Sequence, residues 1–295
     1  MKLTSYLKRK AINAFTRVYD PLITINIGKE TLRLPLSHSL REIMELHPDF
    51  NFNLPRIISY CEKKYKNLSV IDIGANIGDT VVFIRNYSNA PVLCIDGENR
   101  YLKLLAKNTQ HFDNISVCRA LVGNENKTEK LSLKMHAGTA HLEEGNQEVE
   151  LRTLENILDE YPDFQESKVL KSDTDGFDTL ILRSSADYLL RVKPILFFEF
   201  DPHYISKNND DPFDFLRFLK KVGYRYLVFF MSVGDYLVSL DLEMEMEQAD
   251  ELVHYFSGRQ VLLYADICAF TEEDKDLYDY TRKAEIAHYR RLRNY

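Results

Sequence analysis

The chain has 295 residues and a formal net charge of −7, enough length for one substantial α/β domain with additions. An acidic balance with no basic stripe argues against a general nucleic-acid binder. No apolar run approaches the length that spans a bilayer, and the first ten residues lack the continuous apolar region of a secretory signal. Cys61, Cys94, Cys118 and Cys268 form no C-x-x-C pair, so the expectation is a cytoplasmic protein with reduced, packed thiols rather than a zinc or disulfide framework.

Residues 1–19 carry five basic side chains and no acid, with Leu3, Tyr6, Leu7, Ala11, Ala14, Phe15 and Val18 at helical spacing. The expected helix docks on its own domain or on a second copy; peripheral membrane contact is the alternative. Ile23 to Leu34 alternates as a hairpin around Gly28-Lys29-Glu30, and residues 38–65 read as helices interrupted by Pro48 and Pro55. Residues 1–66 are therefore expected to form an N-terminal helical cap. From residue 67 to 270 the pattern alternates. Strands are expected at 69–73, 92–96, 115–119, 168–172, 194–200, 224–230 and 260–268, and helices at 79–87, 98–110, 151–161, 176–190 and 212–222. Such alternation implies a Rossmann-like, doubly wound, mainly parallel seven-stranded α/β sheet with right-handed crossovers. Residues 128–151 break the rhythm and read as a small β insertion around Gly138-Thr139-Ala140, flanked by His136 and His141. The acids between Asp241 and Glu251 read as a solvated helix face. Residues 271–295 form a charged, Tyr-rich helical tail, read as an oligomerisation helix or a partner contact. A homo-oligomer, most simply a dimer, is expected.

The most informative segment is Val70 to Thr80. An apolar run carries Asp72, and the loop Gly74-Ala75-Asn76-Ile77-Gly78 leads into Asp79-Thr80 at the start of a helix. Glycines let a backbone approach a ligand closely and adopt positive φ. A dinucleotide loop reads G-x-G-x-x-G and leaves backbone N–H groups for a pyrophosphate. This loop reads D-x-G-x-N-x-G. An acid two residues before the first glycine suits an ammonium group better than a phosphate, and S-adenosylmethionine offers an ammonium and no phosphate. A second apolar run ends at Asp96-Gly97. Asp96 lies 18 residues beyond Gly78, where a βαβ unit places the acid that accepts from ribose hydroxyls. The expected cofactor residues are Asp72, Gly74, Ala75, Asn76, Gly78, Asp79, Thr80, Asp96 and Gly97.

Ligands of an open α/β sheet lie beyond the carboxyl ends of its strands. Strand 168–172 delivers Asp173 and Asp175 to that rim, and strand 194–200 delivers Glu199, Asp201 and His203. Three roles compete. Asp173, Asp175, Glu199 or His203 takes a proton from a substrate hydroxyl. Asp173, Glu199 and Asp201 hold Mg²⁺ or Ca²⁺, since hard cations prefer several oxygens. Or the acids cap the following helices, with Asp175-Gly176 opening the next one.

Four blocks carry a family resemblance. Ile71 to Gly78 resembles the opening motif of FkbM-type methyltransferases. Val169-Leu170-Lys171-Ser172-Asp173-Thr174-Asp175-Gly176-Phe177-Asp178 is similar to that family's LKIDVEGFE block. Lys193 to Glu199 resembles its P-x-hydrophobic-E strand, and Asp266-Ile267-Cys268-Ala269-Phe270 its DILAF strand. Ser172 and Thr174 stand in place of apolar residues, Asp175 and Asp178 in place of glutamates, and Asp96-Gly97 in place of Glu-Pro. The resemblance covers about residues 67–270, so that segment is expected to be the S-adenosylmethionine-binding domain of a class I methyltransferase. It implies methyl transfer, commonly to oxygen, with a hydroxyl of a sugar, a glycan-like polymer or a secondary metabolite as acceptor. Two alternatives stand beside it: a catalytically silent scaffold subunit of a biosynthetic complex, and an NAD-dependent oxidoreductase, against which Asn76 and Asp79 argue.

Overall fold

The computed structural model describes residues 10, 12, 14–136, 139–144, 147–258 and 264–292. In chain order the strands are β1 (Leu22–Ile27), β2 (Glu30–Pro35), β3 (Val70–Ile73), β4 (Val92–Asp96), β5 (Ile115–Arg119), β6 (Leu121–Val122), β7 (Lys127–His136), β8 (Thr139–Glu144), β9 (Gln147–Arg152), β10 (Val169–Ser172), β11 (Ile195–Phe200), β12 (Tyr224–Met231), β13 (Tyr236–Asp241) and β14 (Ala265–Thr271). The α-helices are α1 (Leu40–Leu46), α2 (Asn53–Lys64), α3 (Asp79–Ile84), α4 (Asn99–Thr109), α5 (Leu154–Leu158), α6 (Asp178–Ser184), α7 (Ala186–Val192), α8 (Pro202–Lys207), α9 (Pro212–Lys221), α10 (Met246–Ser257) and α11 (Lys275–Leu292).

Short runs of Val, Ile, Leu and Phe that are buried on both faces make the central strands, as in a sheet covered by helices on each side. The sheet has eight strands in the order β13-β12-β14-β11-β10-β3-β4-β5. From β5 to β11 every neighbouring pair is parallel, whereas β14 runs antiparallel to both β11 and β12. The α/β architecture is the expected one, but the expected count of seven strands is short by one. The extra strand, β13, folds back on β12 through a turn at Gly234, whose φ is +87°. Strand order reverses between β3 and β10, so two loops diverge there and leave a crevice.

Ile71 and Ile73 of β3 point into one apolar cluster with Leu170, Leu196 and Phe198; Val70 points into another with Cys94, Val169 and Phe197. The alternation fixes sides. Asp72, Lys171, Glu199 and Asp266 all share the face of the second cluster, towards α2, α3 and α11. The four cysteines are buried free thiols. The expected helix over 176–190 is two helices, α6 and α7, joined at Ser185. Sequence patterning also missed α8. The acidic run between 241 and 251 opens α10, whose Ala249, Val253 and Phe256 are buried while its acids face outward.

Residues before β3 are less purely helical than expected, because β1 and β2 pair as the anticipated hairpin. Ile27, Leu32, Leu34, Leu40 and Phe52 pack against Ile77, Val82, Phe83 and Tyr101, so hairpin and α1 lie over the start of α3 and the body of α4. Of residues 1–19, positions 1–9, 11 and 13 lie outside the described residues. The expected β insertion is a four-stranded sheet, β6-β9-β7-β8. Its turn at Gly138 and the side chains of His136 and His141 lie outside the described residues.

The C-terminal helix, expected to lack a place on the core, is docked along it. Leu277, Tyr278, Thr281 and Glu285 of α11 are buried. Tyr278 stacks on Tyr226 with ring centroids 4.8 Å apart. Arg56 of α2 donates from Nη2 to Glu285 at 2.7 Å, Tyr60 donates to the same carboxylate at 3.2 Å, and Arg56 reaches Asp49 at 3.2 Å. His288 Nε2 lies 2.7 Å from Asp49. Among the described residues, no helix is long and apolar enough to cross a membrane.

Removing one partner of a buried ion pair leaves the other charge uncompensated, at a cost of about 3–5 kcal/mol. Glu285→Ala is therefore expected to lower stability by about that amount, towards the lower end because Asp49 still faces Arg56. Urea denaturation of the variant beside the wild type measures it. A loss within experimental error of zero would show that Arg56 does not depend on α11.

Candidate active site

At the crevice between β3 and β10 lies a cleft of about 260 Å³. The loop after β3 forms one wall. Gly74 has φ +77°, Asn76 +47° and Gly78 +81°, so three left-handed residues turn the chain within five positions. A Cβ at Gly74 would sit 2.0 Å from the carbonyl oxygen of Asp173, so only glycine lets this loop lie against the end of β10. Asn76 N–H donates to Asp96 Oδ2 at 2.8 Å, and Glu98 N–H donates to Oδ1 at 2.8 Å. Two backbone donors thus lock the Asp96 carboxylate at the end of β4, with lone pairs left for a ligand. Burial pushes Asp96 up to about 6 despite those donors.

Of the expected cofactor residues, Gly74, Asn76, Asp79, Thr80, Asp96 and Gly97 line the cleft. Ala75 is packed in the apolar cluster beneath the loop. Gly78 serves the turn, with Leu105 and Thr109 3.2 Å from where its Cβ would be. Asp72 does not line the cleft. It is fully buried and accepts from Lys171 Nζ at 2.8 Å, because Asp72 and Lys171 are register partners on β3 and β10. The sequence reading that faced Asp72 to an ammonium ligand is corrected accordingly: its counter-cation comes from the protein. Burial works against the Lys171 ammonium, but Asp72 and Asp173 beside it raise it well above its usual range. Lys171 Nζ lies 3.4 Å from Asp173 Oδ2, so one cation bridges the two carboxylates.

Asp173, Asp175 and Glu199 line the same cleft as the cofactor loop, as the topology predicts. Asp175 has φ +52°, and burial, with Asp173, Asp178 and Asp201 nearby, pushes its carboxyl up to about 7. Burial likewise raises Glu199 well above the carboxylate range, with Asp173 adding to it. Asp79 is pushed up to about 6 by burial, against the pull of Lys171. Asp178 belongs to the scaffold: it accepts from Ser172 Oγ at 2.5 Å and from Thr174 N–H at 3.1 Å, tying strand end to helix start. The hydroxyl at Ser172 finds its partner there.

Two expected site residues stand elsewhere. Asp201 caps α8, accepting from His203 N–H at 2.9 Å and Tyr204 N–H at 3.3 Å. Its side chain is used by the helix terminus and is absent from the cleft lining. His203 is exposed on the first turn of α8 and does not reach the cleft either. The expected metal set of Asp173, Glu199 and Asp201 therefore does not assemble. No group of three or more His, Cys, Asp or Glu among the described residues is placed to hold a metal ion.

Sequence reasoning missed the wall contributed from before β3. His38, Phe50 and Asn51 line the cleft, together with Tyr101 and Tyr264. Leu40 N–H donates to His38 Nδ1 at 3.2 Å, which leaves the ring proton on Nε2. Burial lowers His38 to about 4, so it faces the cleft neutral. No local motif announces these residues; the hairpin's packing on α3 and α4 brings them over the loop.

Residues 72–226 match the methyltransferase FkbM domain family, which is more than half of the chain. The chain belongs to that family. No curated protein matches it. Its likeness to solved structures is distant. The methyltransferase FkbM of Methylobacillus flagellatus is 16% identical over 54% of this chain and 39% of that one, with a TM-score of 0.38. The chain thus spans about two fifths of the length of that relative. The N-methyltransferase NodS of Bradyrhizobium japonicum is 8% identical over 73% of this chain and 92% of that one, with a TM-score of 0.40. The tRNA (uracil-54, C5)-methyltransferase of Pyrococcus abyssi, solved in complex with S-adenosyl-L-homocysteine, is 10% identical over 85% of this chain and 44% of that one, with a TM-score of 0.41.

The raised carboxyls of this FkbM-family cleft carry a pH dependence whose sign is fixed. Asp79, Asp96 and Asp178 sit at about 6 and Asp175 at about 7, above their unfolded value of 3.8. The folded state binds more protons than the unfolded chain, so this contribution is full below pH 4 and is lost as pH rises through 6 and 7. The ligand-free protein is expected to melt at a lower temperature at pH 8 than at pH 5.5, with the slope reduced in Asp175→Asn. Calorimetry across that range decides; a melting temperature that climbs from pH 5.5 to 8 would contradict it.

Proposed function

We propose that the protein is an S-adenosylmethionine-dependent O-methyltransferase whose acceptor is a hydroxyl of a sugar or glycan-like molecule. The observation that carries this reading is the charge of the cleft. Six carboxylates line it, those of Asp79, Asp96, Glu98, Asp173, Asp175 and Glu199, against a single Lys or Arg, Lys171, which is already bridged to Asp72 and Asp173. A lining of that kind disfavours a pyrophosphate or a nucleic-acid backbone. It suits a ligand that carries an ammonium and a sulfonium, because burial has raised these carboxyls and a cation relieves them.

The residues present fit that cofactor. Asp96, fixed by its two backbone donors, would accept from the ribose hydroxyls. Asp79, at the helix start beside Asn76, takes over the role towards the ammonium that Asp72 cannot fill. Gly74, seated on Asp173, keeps the loop thin enough for close approach. When bound, the cofactor supplies an electrophilic methyl group. The protein's part is alignment of the acceptor and a place for its proton. Asp175 is suited to the second task, since a carboxyl at about 7 is half ionised near neutral pH. Neutral His38 and the hydroxyl-bearing Tyr101 and Thr174 offer an uncharged acceptor hydrogen bonds without bringing another charge into the cleft.

S-Adenosylhomocysteine is expected to raise the melting temperature, and NAD is expected not to. A hydrogen bond to a charged group contributes about 1.5–3 kcal/mol, so Asp96→Ala should weaken binding by roughly 10- to 150-fold. Titration calorimetry measures both. An unchanged affinity in Asp96→Ala removes Asp96 from the site, and stabilisation by NAD alone would sink the whole reading.

A further inference from the structure

Glu199 and Asp266 are register partners where β11 and β14 run antiparallel. Directly opposed residues of such a pair project from one face, with Cβ atoms about 4.5–5.5 Å apart. On the far side of Asp266 its register partner in β12 is Phe230, which brings no charge. On the near side, Asp173 follows Ser172, the register partner of Phe198, so the row across the sheet runs Asp173, Glu199, Asp266. The cation nearest the row, Lys171, is committed to Asp72 and Asp173. Asp173, Glu199, Asp266 and Lys171 line a chamber of about 20 Å³ behind the cleft, roofed by Leu54 and Pro55 of α2. That is room for about one water molecule. Asn51, Thr80, Lys171, Asp173 and Glu199 line both spaces, so the chamber adjoins the cleft.

We propose that Glu199 and Asp266 form a carboxyl pair that holds one proton between them at neutral pH, with Asp266 a positioning residue that acts through Glu199. Two carboxyls this close in a buried, apolar surround do not both ionise. The charged and titratable groups facing them are Asp173 and Lys171 of the neighbouring strand and its loop, Asp175 and Asp178 beyond it, and Tyr264 before β14. All but Lys171 are acids or neutral. Burial, and then Asp173, push both carboxyls well above the usual range.

The catalytic use of the pair rests on the methyl-transfer reading above. As the acceptor oxygen bonds to the methyl carbon, the carbon–sulfur bond breaks and its electron pair stays on sulfur. The O–H bond breaks, and its proton passes to the pair, which goes from one proton to two and later releases one to solvent. A shared proton therefore leaves Glu199 able to accept while the site carries one negative charge fewer than its carboxyl count.

Infrared titration of the full chain tests this, with Glu199→Gln and Asp266→Asn beside the wild type. The wild type is expected to show a protonated-carboxyl band at pH 7 that either substitution alone removes, since each leaves a lone carboxyl that ionises at least one pH unit lower. Either variant suffices if the other does not fold. No band at pH 7 that responds to either substitution overturns the pair, as does a band that one removes and the other leaves untouched. A carboxyl with a merely structural role would not produce this joint loss. S-Adenosylhomocysteine affinity of the same samples separates the two claims. Binding without a shared band removes the pair and leaves the methyl-transfer reading; a shared band without binding does the reverse.

Discussion

The site depends on one buried ammonium. Lys171 stands at the point where the strand order reverses, and it neutralises Asp72 on one side while reaching Asp173 on the other. Without it, two strands that must lie side by side would bring their carboxylates together in an apolar layer, at a cost of several kcal/mol per uncompensated ion. With it, β3 and β10 can pair through Asp72 and Lys171 and still end in acidic loops. The loops then approach to the limit that glycine allows, Gly74 against the Asp173 carbonyl. Strand pairing, loop contact and the electronegativity of the cleft thus follow from where one lysine is placed.

The core strands and the cofactor loop were legible because their signals are local. Apolar runs ending in acids, and glycines at fixed offsets, mark strand ends and tight turns whatever the rest of the chain does. The expected strands at 69–73, 92–96, 115–119 and 194–200 agree closely with β3, β4, β5 and β11. Residue roles were legible less often. Asp72 has the right spacing for a ligand residue, but spacing does not reveal that Lys171 faces it from the next strand. Asp201 and His203 follow a rim strand, yet a proline at the next position starts a helix, and that helix takes the Asp201 carboxylate as its cap. Sequence order brought them to the edge; the turn of α8 directed them away.

The least legible part is the wall from before β3. His38, Phe50 and Asn51 reach the cleft only because the β1–β2 hairpin and Leu40 pack on Ile77, Phe83 and Tyr101. Their packing partners lie tens of residues away in sequence, where no periodicity connects them. The same holds for α11. Its charge and tyrosines read as a solvent-facing tail, whereas Glu285 and Tyr278 are the groups that seat it on α2 and β12. A helix whose polar residues are partnered across an interface looks, in one dimension, like a helix with nothing to bury.

The Arg56–Glu285 pair joins positions 229 residues apart. Contacts of such separation form late, because the loop that must close is nearly the whole domain. During synthesis, α2 and the segment carrying Asp49, Phe50 and Asn51 leave the ribosome well before the carboxylate that completes their ion pair. The growing chain can assemble its glycine loop and central strands while the roof of the cleft is still held by Asp49 alone. Maturation of the active site is thereby coupled to the emergence of residue 285, and the nascent protein gains its closed cleft only after the methyltransferase core beneath it has been made.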